Sequence, residues 1–303
     1  MGKLEDIMLM VEVVDAGGLS AAGRRLNLSP ATMTSRLKSL EARYKTRLFN
    51  RSTRSIALTR AGEEFYQAAL QVLEDITQAE SVLMHREGIL SGSLRISAPS
   101  DFGRQYVSPA LLEFSCQHPG INTSLFLSES LMNLIGSRLD MCIRFGNLPD
   151  SNLVTKSIRP NRRVLVASDG YLSKHGQPPT PEALCTHRCL VMEQEGVLMN
   201  KWRFEYRGKP VSVQVSAAMV CNDGALIRTW ALAGAGIAAK SWWDVRDDVE
   251  QGKLVILFPD NFIGFSQHDN KQVGLQFVYP ERRYHPPQVK AFSEFFVGWL
   301  GDT

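Results

Sequence analysis

Apolar residues recur at helical spacing in the first stretch of the chain: Leu4, Ile7, Met8, Val11 and Val14 fall on one stripe, and Gly17-Gly18 ends it. Ser20 is placed to cap a short alanine-rich helix, "SAAGRRLN", with Ala21, Ala22 and Leu26 turned inward. After a turn at Leu28, Ser29 stands as an N-cap with Pro30 at the first helical position, and Met33, Leu37 and Leu40 give the next helix its buried face. That helix carries Thr32, Ser35, Arg36, Lys38 and Ser39 outward, with Thr34 near its start. The stretch "RLFNRSTRSIALTRAG" then alternates short apolar groups with Arg47, Arg51, Arg54 and Arg60, as a small two-stranded wing does. From Gly62 to about Leu90 no proline interrupts a stripe of Phe65, Ala69, Val72, Ile76, Ala79 and Leu83. At 1.5 Å per residue this predicts a helix about 44 Å long. One apolar stripe on an otherwise charged helix calls for a partner, either its twin in a second subunit or the body of its own chain. Ser91-Gly92-Ser93 reads as a hinge.

From Leu94 onward the period shortens. "LRIS", "TSLFL", "MCIRF", "RVLVAS", "LVILF" and "LQFVY" are strand candidates, and "RQYVSPALLEFSCQ", "GALIRTWALAG" and "PPQVKAFSEFFVGWL" are helix candidates. Such alternation predicts an α/β architecture, with ligands near strand C-termini and helix N-termini.

Charge divides the chain at the same place. Residues 1–60 carry eleven Lys and Arg against five Asp and Glu, a balance of +6, and residues 61–303 carry twenty-three against twenty-six, a balance of −3. A basic end on a mildly acidic body points to a polyanion as the partner of that end. Joined to the capped pair of helices, it points to duplex DNA: in a helix-turn-helix the second helix enters the major groove and the first crosses the backbone. Hydroxyls and an arginine on that helix suit base edges and phosphates. The remaining composition changes the picture little. At 303 residues and 44% apolar content the chain suits two or three domains. Five cysteines, an odd number, and an N-terminus with acids inside its apolar run argue for a reducing, cytoplasmic setting rather than a disulfide framework or a signal peptide. No apolar run of about eighteen residues is present, so no membrane partner is expected.

"LSAAGRRLNLSPATMTSRLKSLE", "RLFNRSTRSIALTRAGEEFY", "SGSLRISAPSDFGR", "LDMCIRFGNLPDS", "LVASDGYLSKHGQP" and "NDGALIRTWALAGAGIAAK" together resemble the LysR-type transcriptional regulators, from one end of the chain to the other. The resemblance implies an N-terminal winged helix-turn-helix over residues 1–60 and a dimerising linker helix over 61–90. It also implies a two-lobed α/β effector domain like the periplasmic solute-binding proteins, lobe 1 being 91–162 with 267–303 and lobe 2 being 163–266. Carried over by position, Ser29, Pro30, Ala31, Thr32, Thr34, Ser35, Arg36 and Lys38 match the recognition helix, and Arg51 and Arg54 the wing. Ser100, Asp101 and Phe102 match the helix start that holds the effector, Ser128 to Ser130 the loop after the second strand, and Arg144, Phe145, Gly146, Asn222 and Asp223 the other cleft edges. The implied partners are double-stranded promoter DNA, a small-molecule effector such as a small carboxylate or an aromatic acid, a homodimer or homotetramer, and RNA polymerase if the protein activates. Asp101 and Asp223 stand against an anionic effector unless they face away from it. Two departures from the family pattern stand out: Tyr44-Lys45 replaces the usual Leu-Gly pair after the recognition helix, and "AAKSWW" places Lys240, Ser241 and two tryptophans where many members have an apolar pair and a proline.

Rival chemistry is weaker. "GAGIAA", Gly234 to Ala239, has dinucleotide-loop spacing but follows a helical stretch instead of a strand, so close helix-strand packing explains its glycines better and no cofactor is expected. "CTHRC" offers Cys185, His187 and Cys189 but no fourth ligand at a zinc-like spacing, so no metal is expected. The six histidines are scattered, and neither H-E-x-x-H nor G-x-S-x-G occurs, so the expectation is a regulator and not an enzyme.

Overall fold

The structure, a computed structural model, describes residues 2–51, 56–84, 90–129, 139–146, 153–265, 274–280 and 286–301. It divides into two compact units, Met1–Gly92 and Ser93–Thr303.

In the first unit, helices α1 (Lys3–Asp15), α2 (Leu19–Arg25) and α3 (Pro30–Tyr44) are followed by the antiparallel pair β1 (Phe49–Arg51) and β2 (Ile56–Leu58), then by the long helix α4 (Arg60–Met84). Leu9, Met10, Val13, Ala22, Met33, Leu37, Leu40, Leu48 and Phe49 form its core. The stripe expected on α1 is only partly the inner face: Val14 packs on the core, but Leu4 and Met8 are 43% and 53% exposed, and the fully buried residues are Asp6, Leu9, Met10 and Val13. From Ile7 to Val14 only Glu12 interrupts the apolar residues, so spacing alone could not choose the inner side. Asp6 is buried and ion-pairs with Arg43 of α3, which gives a charge on the inner face its partner.

Gly18, not Ser20, caps α2, and Leu26 is 39% exposed instead of facing inward. Ser29 caps α3 as expected, its hydroxyl accepting from the Thr32 N–H at 3.1 Å, with Pro30 in first position. The missing glycine does not prevent α3 from stopping. Lys45 itself takes the left-handed conformation, φ 49°, and ends the helix after Tyr44. On α4, Phe65 and Ala69 of the expected stripe pack on their own unit, whereas Val72 and Ala79 remain exposed; the side chain of Leu83 lies outside the described residues.

The second unit begins with β3 (Gly92–Ala98), whose first residue closes the first unit. A helical segment follows, comprising α5 (Ser100–Phe102), a π-helical turn (Gly103–Val107) and α6 (Ser108–Gln117), and then β4 (Ile121–Leu127), β5 (Met141–Phe145) and β6 (Leu153–Arg159). Beyond it run β7 (Arg163–Ser168), α7 (Asp169–His175), β8 (Cys189–Gln194), β9 (Val197–Leu198), β10 (Lys201–Tyr206), β11 (Lys209–Gln214), β12 (Ala217–Cys221), α8 (Gly224–Leu232), β13 (Ile237–Ser241), α9 (Trp242–Glu250), β14 (Leu254–Leu257) and β15 (Phe262–Gly264). The described chain ends with β16 (Leu275–Pro280) and α10 (Pro287–Trp299).

Two α/β lobes result. One is built on the sheet β4-β3-β5-β16-β6, to which β16 returns from the far end of the chain. The other is built on β12-β8-β13-β7-β14 with β9 at its side, and the small sheet β11-β10-β15 packs into its core through Trp202, Phe204, Val213 and Phe262. Both large sheets are mixed: β3 and β5 run parallel, β16 antiparallel to β5 and β6, and β7 antiparallel to β13 and β14. Every strand and helix expected beyond Leu94 is present, but β6, β8 to β13, β15, α7 and α9 were not among those expected. The mixed topology brings the ends of β3, β4, β8 and β13 and the starts of α5 and α8 to one region between the lobes.

Candidate recognition helix and interlobe site

The face that α3 leaves uncovered is polar. Ser29, Pro30, Ala31, Thr34, Ser35, Lys38 and Ser39 are exposed, and Thr32 and Arg36 are half-buried. Thr34 and Ser39 donate to the carbonyls of Pro30 and Ser35 at 2.9 and 3.0 Å, so their hydroxyls have a fixed direction and face outward chiefly as acceptors. Arg36 and Lys38 make no ion pair among the described residues. Arg51 is the last residue of β1, and Arg54 falls outside the described residues. Arg47 and Arg60 are exposed, the latter in an open ion pair with Glu64 at 3.1 Å that contributes little.

Between the lobes, Pro99 turns the end of β3 into α5 and buries Ser100. Ser100, which the resemblance places at the helix start that holds the effector, has its own polar groups engaged within the protein. Its N–H donates to Glu129 Oε1 at 2.9 Å, and its hydroxyl lies 2.5 Å from the same oxygen and 2.9 Å from Asp223 Oδ1. Asp223 caps α8, accepting from the N–H groups of Ala225 and Leu226 at 2.8 and 3.2 Å. Burial raises the pKa of this carboxyl, but those hydrogen bonds and Arg104, 3.5 Å away, lower it by more, so its net shift is downward.

Lys240, 4% exposed, is the hub of the site. It projects from β13 toward the carboxylates of Asp101 at 2.8 Å and Asp244 at 3.2 Å, and donates to the carbonyl of Gly224 at 2.7 Å. Burial depresses its pKa, and the two aspartates raise it by more. Asp244 behaves differently: burial, with the neighbouring carboxylates of Asp101 and Glu129, pushes its pKa up to about 6 even though Lys240, 3.2 Å away, lowers it. Behind them Arg228 pairs with Asp248 at 2.5 Å and reaches Asp101 at 3.7 Å. A charge inside "IAAKS", a strand otherwise of small and apolar groups, was the signal in the sequence for such a cluster, since a buried ammonium requires partners. Glu129, lying between the two serines that were singled out, was missed.

The expected effector residues divide between two adjoining cavities with Glu129 on both. Asp101, Arg144, Phe145 and Gly146 line one of about 300 Å³, together with Arg163, Lys240 and Asp244. Ser100, Ser128, Asn222 and Asp223 line one of about 380 Å³, together with Glu193 and Glu195. Arg144 is buried and donates to Ser97 Oγ at 2.8 Å, and burial lowers its pKa while Glu129 raises it. The Arg163 guanidinium lies 4.7 Å over the ring of Phe265. Phe102 lines neither cavity: it is fully buried among Tyr106, Phe145, Trp243 and Phe296. Ser130 falls outside the described residues.

The two rival motifs take structural roles. "GAGIAA" leads from α8 into β13, the reverse of a dinucleotide loop. Gly234 ends α8 at φ 79°, and a Cβ on Gly236 would lie 2.4 Å from the carbonyl of Arg188. In "CTHRC", Cys185 points to the carbonyl of Gln214, Cys189 is buried against that of Leu184, and His187 meets the hydroxyl of Tyr171 at 3.2 Å. Among the described residues no group of three His, Cys, Asp or Glu side chains could hold a metal ion.

An exposed, capped second helix with a wing, joined to a two-lobed domain with polar cavities between its lobes, defines a DNA-binding regulator equipped to sense a small molecule. The particular family follows from comparison with known proteins. A profile described as "Bacterial regulatory helix-turn-helix protein, lysR family" matches residues 4–63, and one described as "LysR substrate binding domain" matches residues 87–301. The chain belongs to the LysR family of transcriptional regulators. It is 32% identical over 299 residues to the HTH-type transcriptional activator TtdR of Escherichia coli K12, covering 97% of this chain and 93% of that one. Among solved structures it is similar to CrgA, a LysR-type regulator of Neisseria meningitidis, with 28% identity, a TM-score of 0.62 and 98% of both chains covered. It is likewise similar to AphB, a Vibrio cholerae virulence activator, with 28% identity, a TM-score of 0.60, and 98% of this chain and 99% of that one covered. Family members bind DNA and small-molecule effectors and form oligomers, and the relatives matched here are transcriptional regulators. No helix among the described residues is long and apolar enough to cross a membrane.

Proposed function

We propose that α3 reads its operator through Ser29, Pro30, Ala31, Thr32, Thr34, Ser35, Arg36 and Lys38, while Arg51 and Arg54 hold the wing on phosphates. We propose further that the effector is a small carboxylate seated in the 300 Å³ cavity beside Arg144 and Arg163, with lobes bounded as 91–162 plus 267–303 and 163–266. The observation that carries this reading is the pair of guanidinium groups on one cavity, one from each lobe. A ligand that engages both favours one arrangement of the lobes, which is what coupling to DNA requires. Asp101 and Asp223, which stood against an anion, are already engaged with Lys240 and with the start of α8. The cavity lies at the small end of the usual range for ligand sites, which favours a short acid over an aromatic one. The protein works as a cytoplasmic homodimer or homotetramer on promoter DNA, without a catalytic step, and meets RNA polymerase if, like TtdR, it activates. The test is a screen of short-chain and aromatic acids for a rise in melting temperature and a change in affinity for a duplex selected by the protein from a random pool. No response in wild type, or an undiminished response in Arg144→Met and Arg163→Met, removes the carboxylate reading.

A further inference from the structure

Two helix starts, one in each lobe, converge on a single oxygen. Glu129 Oε1 accepts from the N–H of Ser100 at the start of α5 at 2.9 Å and from the N–H of Gly224 at the start of α8 at 3.4 Å, and the Ser100 hydroxyl lies 2.5 Å from it. Backbone donors at helix starts are the ordinary receptors for a carboxylate or phosphate. The cradle is shaped around the group it holds: a Cβ on Gly224 would lie 3.2 Å from Glu129 Oε1 and 3.1 Å from the ammonium of Lys240. The backbone of Glu129 is fastened across the cleft as well, its carbonyl accepting from Gln194 Nε2 at 2.9 Å.

We propose that Glu129 is a tethered ligand: its carboxylate fills an anion site made half by each lobe and holds the lobes together while the effector cavity is empty. This rests on the reading of the cleft as the sensor and adds its regulation. Glu129 lines both cavities, so a ligand entering either one meets the tether, and the effector acts by displacing or re-aiming it. An acid bound by Arg144 and Arg163 competes with the same carboxylate for positive charge, which gives binding a direct route to the closure of the lobes.

Removing the tether leaves an empty anion site, and a free acid of the right size fills it. In full-length Glu129→Ala, sodium acetate titrated at constant ionic strength against sodium chloride raises the melting temperature saturably, on the order of 5 °C, whereas wild type follows the chloride control. Formate acts similarly, and the bulkier trimethylacetate does not. Acetate that leaves the variant on the chloride control, or that raises wild type equally, overturns the proposal. Should the alanine variant fail to fold, Glu129→Gln decides: amide exchange in peptides holding Ser100 and Gly224 is at least tenfold faster than in wild type if the carboxylate secures them, and unchanged rates overturn the tether. The sensor reading fails separately. Acetate rescue of the variant with no acid affecting DNA binding by wild type keeps the tether and refutes the sensor, and the converse refutes the tether alone.

Discussion

Replacing Lys240 by Met tests the charged hub directly. The substitution keeps the length of the side chain and removes an ammonium that is 4% exposed, leaving Asp101 and Asp244 facing each other across a buried space. Breaking a buried pair from one side costs about 3–5 kcal/mol, because the charge left behind has lost both water and partner. Arg228, 3.7 Å from Asp101, relieves part of it, so the lower end, about 3 kcal/mol, is expected. For a unit of this size that corresponds to a fall in melting temperature of roughly 6–12 °C. The loss depends on pH with a definite sign. Asp244 has its folded-state pKa raised from 3.8 to about 6, so it favours the fold when protonated; that contribution is complete below about pH 4 and is lost as pH rises through 6. Without Lys240 the carboxyl titrates higher still, and the deficit of the variant grows from pH 5 to pH 8. Urea melts of wild type, Lys240→Met and Lys240→Met/Asp244→Leu at pH 5, 7 and 8 decide the matter, with the double variant recovering much of the loss at pH 8. A deficit under about 1 kcal/mol at pH 7, or one independent of pH, refutes the charged hub.

Lys45→Gly should stabilise the first unit by about 0.5–1 kcal/mol in urea melts, because a left-handed lysine costs about 1–2 kcal/mol and the added chain entropy of glycine returns only part of that. Val72→Asp should yield a smaller species in sedimentation and weak binding to a full operator, since Val72 lies exposed on α4 where a second copy would pack; unchanged mass removes it from the seam. Affinity for operator DNA should fall roughly 10³- to 10⁵-fold between 50 and 200 mM salt if a dimer makes about six to ten phosphate contacts, and a flat salt titration removes Arg51 and Arg54 from that role.

The local signals were legible because they act within a few residues. A serine hydroxyl and a proline act on the turn they open, and Ser29-Pro30 opens α3 as read, with Met33, Leu37 and Leu40 buried behind it. The strands of "RVLVAS" and "LQFVY" were readable because both faces are covered and the apolar run is continuous. Where several local solutions were equally good, the tertiary structure decided. The apolar surface of α1 let packing against α2, α3 and α4 choose Leu9, Met10 and Val13 over Leu4 and Met8. At the end of α3, lysine adopted the conformation that the fold demanded of a residue ill suited to it. The site depended most on the third dimension. Ser100, Glu129, Asp223 and Lys240 lie up to 140 positions apart, and nothing in their neighbours says that they meet. A carboxylate between two serines is an ordinary surface residue until the fold sets it, just beyond β4, between the starts of α5 and α8 from different lobes. Spacing along the chain reports what a residue does to its own turn or strand; which charges share a buried space is fixed only when the sheets close over them.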